Sequence, residues 1–366
     1  MDLPHIVALS IFSSYFIAIL SLFVLILRTI YSSKLSSKSA FSGKALLFTI
    51  LTLQSFAHTW FYMFKYMAWS FANYESLHPS STSQDLLHRV ASWLHDTSLF
   101  EQAWFAVCAH PLNWWWSEQL CTFTVGAWTV FIAVEGHRHK IKHTWAYMLL
   151  GQIVAISVAS NLFYIALILS HRAASGKEQT TSQTAASPRL WLSVLLSFAT
   201  IAISPYTSTQ TFLPNLLVMH ALLFAPLIGI STIVHPTKSF SVDTKTLYRL
   251  IQILAAAIHL RTVFAAARAL KQDSISSSTA SRLISVAWDV LHSHPAQSSI
   301  GWDVVWTSIS FIFWMLTSSE YPSALSKLYS VLYLTLATPI SSVGVSAPYI
   351  LRSLRAPDAT IQDKRE

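Results

Sequence analysis

Residues 190–237 read LWLSVLLSFATIAISPYTSTQTFLPNLLVMHALLFAPLIGISTIVHPT, 48 residues without one Asp, Glu, Lys or Arg. A bilayer core about 30 Å thick takes roughly 20 apolar residues per helix, so this stretch is long enough for two crossings. The segment Pro205-Tyr206-Thr207-Ser208-Thr209 supplies turn residues between them. The rest of the chain has the same character. Of its 366 residues 53% are apolar and 11% charged, with a mean hydropathy of +0.47. Soluble domains carry about 25% charged residues, so a water-soluble fold is excluded. The expected architecture is all-α, a single polytopic transmembrane helical bundle with about eight or nine spans. These fall at 5–27, 45–65, 118–135, 145–169, 190–204, 212–234, 246–269, 302–319 and 328–350. Residues 171–189 and 271–300 read as flexible loops, the second containing a short amphipathic stretch at 281–292. Residues 99–116, with Pro111 and the Trp114-Trp115-Trp116 run, read as an interfacial segment.

The net charge of +8 sits in short loops between apolar runs, which fits a membrane protein and not nucleic-acid binding. Loop 28–44 carries Arg28, Lys34, Lys38 and Lys44, and loop 135–143 carries Arg138, Lys140 and Lys142. Loop 70–116 carries Glu75, Asp85, Asp96 and Glu101 against Arg89 alone. By the positive-inside rule the N-terminus lies outside or in the lumen and the first and third loops in the cytosol. The first apolar segment spans without a small-residue cleavage site and reads as a retained helix. Two cysteines, Cys108 and Cys121, make neither a disulfide framework nor a Cys-based zinc site.

Ionisable groups inside spans are expensive and face a bundle interior or a cavity. On the second helix Gln54, His58, Phe61 and Lys65 share one face, and on the fourth Ser157, Ser160, Asn161 and Tyr164 do. On the seventh, Tyr248, Gln252, His259 and Thr262 align, with Arg261 beside them. On the eighth, Asp303, Thr307, Ser310 and Trp314 repeat the spacing, and Trp302 and Trp306 flank Asp303. Glu118 begins the third helix and Glu135 ends it. Each has a plainer explanation: Ser and Asn as helix-to-helix hydrogen bonding, Trp115 as part of an aromatic belt, Glu135 paired with Arg138 or Lys142, Asp303 paired with Arg261 or His259. The chain has no Asp-rich diphosphate motif, no set of His boxes, no Gly-rich dinucleotide loop, no P-loop and no G-x-S-x-G elbow. That pattern argues against redox and phosphate-dependent chemistry, and no metal or cofactor is expected. A Trp-rich cavity with a few carboxylates and imidazoles remains, suited to proton chemistry on an apolar molecule or to binding one.

Five stretches carry a resemblance: 99–104 (LFEQAW), 113–119 (NWWWSEQ), 135–138 (EGHR), 150–157 (LGQIVAIS) with 161–163 (NLF), and 299–306 (SIGWDVVW). Over roughly residues 45–350 the chain resembles the fungal transmembrane terpene cyclases of meroterpenoid biosynthesis, of the ascochlorin, ascofuranone and macrophorin kind. The resemblance implies a redox-neutral, metal-independent cyclisation of a farnesylated aromatic or quinol, often epoxidised, in the endoplasmic reticulum membrane. A buried carboxylic acid protonates the epoxide or terminal alkene, aromatic faces stabilise the moving cation, and exclusion of water prevents premature quenching. By position, Asp303, Glu118 and Glu135 are the candidate acids. His58, Trp115, Asn161, His259, Trp306 and Trp314 are candidate substrate contacts. The expected partners are a hydrophobic prenylated small molecule and the lipid bilayer, with no nucleic acid. An isomerase acting on a sterol-like lipid and a small-molecule transporter or receptor are the alternatives. A transporter predicts broken helices near the midplane, which eight glycines in 366 residues do not suggest.

Overall fold

The computed structural model describes residues 2–37, 42–79, 85–170, 185–229, 232–234, 240–272, 279–318, 321 and 323–354. The expected flexible loop 171–189 lies outside these up to residue 184, as do 273–278 of the loop 271–300. The described chain is almost wholly helical. In order, the helices are α1 (Leu3–Ser37), α2 (Gly43–Leu77), α3 (Leu86–Thr97), α4 (Leu99–Ala106) and α5 (Pro111–Arg138). Then follow α6 (Thr144–Ile153), α7 (Ile156–Leu169), α8 (Pro188–Ile203), α9 (Phe212–Phe224) and α10 (Thr244–Gln272). The last are α11 (Thr279–Ser293), α12 (Pro295–Thr317), α13 (Ala324–Ser341) and α14 (Val343–Ser353). A small antiparallel sheet accompanies the helices. In it β1 (Ala185–Ala186) lies between β2 (Ile233–Val234) and β3 (Val242–Asp243), with Ala185 opposite Val234 on one side and Asp243 on the other.

Among the described residues five helices are long and apolar enough to cross a membrane: Leu3–Ser32, Pro111–Arg138, Pro188–Tyr206, Thr244–Leu270 and Pro295–Thr317. Their burial fits a chain associated with a bilayer. On α1, Leu3, Ile11, Ile17, Leu20 and Leu27 are all exposed, while Ile19, Leu22 and Ile26 face inward. A large outward apolar stripe is stable only where the solvent is itself apolar. In contrast, α7 is buried on every side but for Ile168, as a central helix that is apolar all round should be. It packs between α2, α6 and α12, while α10 lies against α5 and α14. The seat of α14 on α5 needs a glycine. A Cβ on Gly344 would lie 3.0 Å from the Thr122 Cβ and 3.1 Å from the Phe123 backbone nitrogen, which has no room to retreat.

Several elements differ from the sequence reading. The Trp114–Trp116 run is part of α5 and not a separate interfacial segment, because Pro111 sits in its first turn, where a missing N–H is harmless. Within α5, Thr124–Trp128 widens into a π turn, held where the Thr129 hydroxyl donates to the Thr124 carbonyl at 2.7 Å. The helix expected at 212–234 ends at Phe224, where Pro226 follows. The helix expected at 328–350 is two, broken at Ser342 (φ 72°) after Pro339. The helix expected at 145–169 is also two, α6 and α7, parted at Val154–Ala155 with Ala155 fully extended (φ −172°, ψ 140°).

Candidate functional site at a broken helix

The break between α6 and α7 exposes backbone groups that lipid cannot satisfy, and side chains from two other helices satisfy them. From α12, both oxygens of Asp303 accept backbone N–H groups at the start of α7: Oδ2 from Ile156 at 2.9 Å and Oδ1 from Ser157 at 2.8 Å. The Thr307 hydroxyl lies 3.4 Å from the same Oδ1. From α1, the Tyr15 hydroxyl donates to the Ile153 carbonyl at the end of α6, at 2.6 Å. A carboxylate at a helix N-terminus meets both unpaired N–H groups and the positive end of the helix dipole. Each carboxylate oxygen has two lone-pair sites. Those of Oδ1 are taken by Ser157 and Thr307, whereas Oδ2 keeps one.

Beside this break lies a cavity of about 310 Å³, at the small end of the range for ligand sites. Its wall is drawn from α1 (Tyr15), α2 (Thr59, Met63), α4 (Phe100, Ala103, Trp104), the cavity-facing side of α5, residues 151–156, α9 and α12. The π turn contributes Thr124 and Val125, in keeping with the frequent placement of π turns at functional sites. The thiols of Cys108 and Cys121 are free, half-buried and part of the same wall. Most of the wall's hydroxyls are already committed to backbone carbonyls. Thr59 donates to Ser55 at 2.8 Å, Ser117 to Val107 at 2.7 Å, Thr124 to Leu120 at 2.7 Å and Ser299 to Thr59 at 3.1 Å. What faces the interior is an apolar, aromatic surface with a carboxylate (Asp303), an imidazole (His220) and an amide (Gln152).

Of the candidate acids, Asp303 alone lines this cavity. It pairs with the start of α7 and not, as one reading expected, with Arg261 or His259. Glu118 is fully buried behind the wall, its Oε2 3.0 Å from His259 Nδ1. His259 Nε2 lies 3.1 Å from the Ile340 carbonyl, which the end of α13 leaves free. A carbonyl only accepts, so Nε2 carries a hydrogen and a single proton occupies the Glu118–His259 bond. That pair is neutral as a unit, which makes it tolerable in the membrane interior. Trp115 stands beside it, ring centroids 6.5 Å from His259. Glu135 lies at the far end of α5, 3.4 Å from Arg138 and 3.6 Å from His139.

The candidate substrate contacts fall into separate places. His58 and Trp306 meet, the indole N–H donating to His58 Nδ1 at 3.1 Å, and Trp302 packs on the His58 ring at 4.2 Å. Trp314 stacks on Tyr164 at 4.7 Å and 8° in the core. Asn161 is fully buried, with neither side-chain polar atom bonded to a described residue. None of these lines the cavity. The residues that sequence reasoning passed over there are Tyr15, Trp104, Gln152 and His220. For His220 a signal existed, since it is an imidazole inside the apolar run 212–234, which has no other ionisable side chain.

The fold and site thus define an all-α protein with helices long and apolar enough to cross a membrane and an apolar cavity at a helix break. No protein-family model, curated protein or solved structure matches the chain.

Proposed function

We propose that the protein is a membrane-embedded terpene cyclase that folds a farnesylated aromatic or quinol within this cavity, with eight or nine crossings of the endoplasmic reticulum membrane. The observation that carries the reading is an apolar, aromatic-walled cavity between apolar helices with one carboxylate on its wall. It gains support from four of the resembling stretches, 99–104, 113–119, 150–157 and 299–306, which meet on that wall through Phe100, Trp104, Ser117, Gly151 to Ile156 and Asp303.

Asp303 acts through Oδ2, the oxygen with a lone pair to spare. Its proton passes to the epoxide oxygen or the terminal alkene of the bound chain, generating a tertiary cation that the chain's own double bonds capture. The N–H groups of Ile156 and Ser157 hold the carboxylate left behind, a fixed dipole aimed at developing charge. Phe100, Trp104 and Tyr15 offer faces to the cation, each worth about 0.5–2 kcal/mol. Dry walls keep water from trapping it.

Incubating membranes that contain the protein with an epoxidised farnesyl-phenol tests the reading. A cyclised product of unchanged mass, formed with EDTA present and no nicotinamide, is the expected outcome. Intact substrate from well-folded protein contradicts it. The transporter reading draws support from the break at Val154–Ala155, since discontinuous helices form the binding sites of transporters. Uptake of the same substrate into sealed vesicles without conversion would favour it.

A further inference from the structure

His220 lies in α9, half-buried on the cavity wall and packed against Trp104 with ring centroids 5.8 Å apart. Its Nδ1 is 2.8 Å from the carbonyl oxygen of Leu216, one turn earlier in the same helix. A carbonyl oxygen has no hydrogen to give, so Nδ1 carries the ring hydrogen and the neutral imidazole presents Nε2 as a bare lone pair. No described residue bonds to Nε2. The amide of Gln152 donates to the backbone carbonyl of His220 at 3.4 Å, tying this part of α9 to the end of α6 beside the break. The other titratable groups on the wall are Asp303, Tyr15, Cys108 and Cys121. The Tyr15 hydroxyl is engaged with Ile153, and ordinary thiols titrate near 8.5. Histidine is the side chain whose ordinary range suits accepting a proton at neutral pH.

We propose that His220 is the base of this cavity and takes, through Nε2, the proton that ends the cyclisation. This rests on the cyclase reading above. The last cation loses a C–H proton to Nε2, the bonding pair of that C–H becomes the new C=C bond, and the ring becomes an imidazolium. Asp303, left as a carboxylate by the first step, regains one proton as the imidazolium loses one. Substrate and product are then isomers, and the sequence needs neither oxidant nor reductant. Asp303 from α12 and His220 from α9 approach the cavity from different helices, as an acid and a base acting on different parts of one chain should.

The test compares wild type, His220→Leu and His220→Gln in membranes, with an epoxidised farnesyl-phenol as the probe. The Nδ1 bond is internal to α9, so neither variant breaks a hydrogen bond between helices, and glutamine keeps a polar group without a base. Binding is read separately, as protection of Cys108 and Cys121 from maleimide by the probe. Both variants are expected to bind as wild type does and to form the cyclised alkene about 100-fold more slowly, with water-captured alcohols appearing in its place. Wild-type rate and product ratio in His220→Gln overturn the assignment while leaving the cyclase reading intact. Absence of cyclisation by folded wild-type protein overturns the cyclase reading, and the assignment with it.

Discussion

At His294, just before α12, a single proton decides whether a helix is capped. Its Nδ1 accepts the Ala296 N–H at 3.3 Å, and the ring packs edge-on against Trp69 at 4.4 Å. Protonation turns that acceptor into a donor and sets a positive charge at the positive end of α12. Burial holds the His294 pKa below its ordinary 6.5. Near and just below pH 6.5 the unfolded chain therefore binds more protons at this site than the folded one. Its contribution to stability is complete above that pH and is lost as the pH falls through it. His294→Asn, which keeps an acceptor without a titrating ring, is expected to flatten the loss of thermal stability between pH 7.5 and pH 5 in detergent. An identical slope in wild type and variant would show that another group carries that dependence. Burial alone does not mark function at this scale. Glu118 is more deeply buried than Asp303, yet its partner is His259 behind the wall, while Asp303 faces the cavity.

Among the elements, the break at Val154–Ala155 matters most, because a helix interrupted in apolar surroundings must have its ends satisfied from elsewhere. Asp303→Ala leaves the N–H groups of Ile156 and Ser157 without their acceptor, which costs about 1–3 kcal/mol for each. Asp303→Asn keeps one acceptor oxygen and is expected to lose about half as much, as read from thermal unfolding in detergent. An alanine variant as stable as wild type would mean that α7 does not depend on this cap. Much of the element pattern was legible in the sequence. The uncharged stretch 190–237 gives α8 and α9, whereas the helix expected at 45–65 does not stop at Lys65 but continues to Leu77 and is not among the five helices apolar enough to cross a membrane. The break was not legible, since LGQIVAIS has neither a proline nor a glycine at the break itself. The residue that stabilises it, Asp303, lies 147 positions from Ile156. The same distance explains the partial reading of the site. Spacing along one helix singled out Asp303, Glu118 and His259, but it cannot show which helices face one cavity. His220 escaped because no second polar group stands at helical spacing from it to mark a shared face.

At the scale of the whole molecule, the two faces of the bundle differ in charge. The start of α1 meets α3 where His5 packs on His88 at 5.1 Å, and His294 at the start of α12 packs on Trp69 near the end of α2. This face carries Asp85 and Asp96, with Glu75 bonded to Arg89. On the opposite face Lys44 donates to the Thr317 carbonyl at 2.6 Å and Lys327 to Ser318 at 3.0 Å, so two lysines cap the negative end of α12. Basic residues gather on the cytosolic side of membrane proteins, so this charge pattern predicts an N-terminus outside or in the lumen. The sequence contains no natural N-x-[ST] acceptor, so an engineered one reports cleanly. An acceptor ahead of Leu3 is expected to be glycosylated and one within 31–42 not. The reverse pattern would invert the orientation.

In the proposed reaction an apolar ligand reacts by proton transfer in the cavity beside the α6–α7 break. Its most direct test is conversion of an epoxidised farnesyl-phenol by wild type, Asp303→Asn and Thr307→Val at matched levels of folded protein. Thr307→Val removes a neighbour of Oδ1 and leaves Oδ2 untouched. The account predicts a cyclised isomer from wild type and from Thr307→Val, and at least a 100-fold slower reaction from Asp303→Asn. Equal conversion by wild type and Asp303→Asn, or no conversion by any of the three, would contradict it.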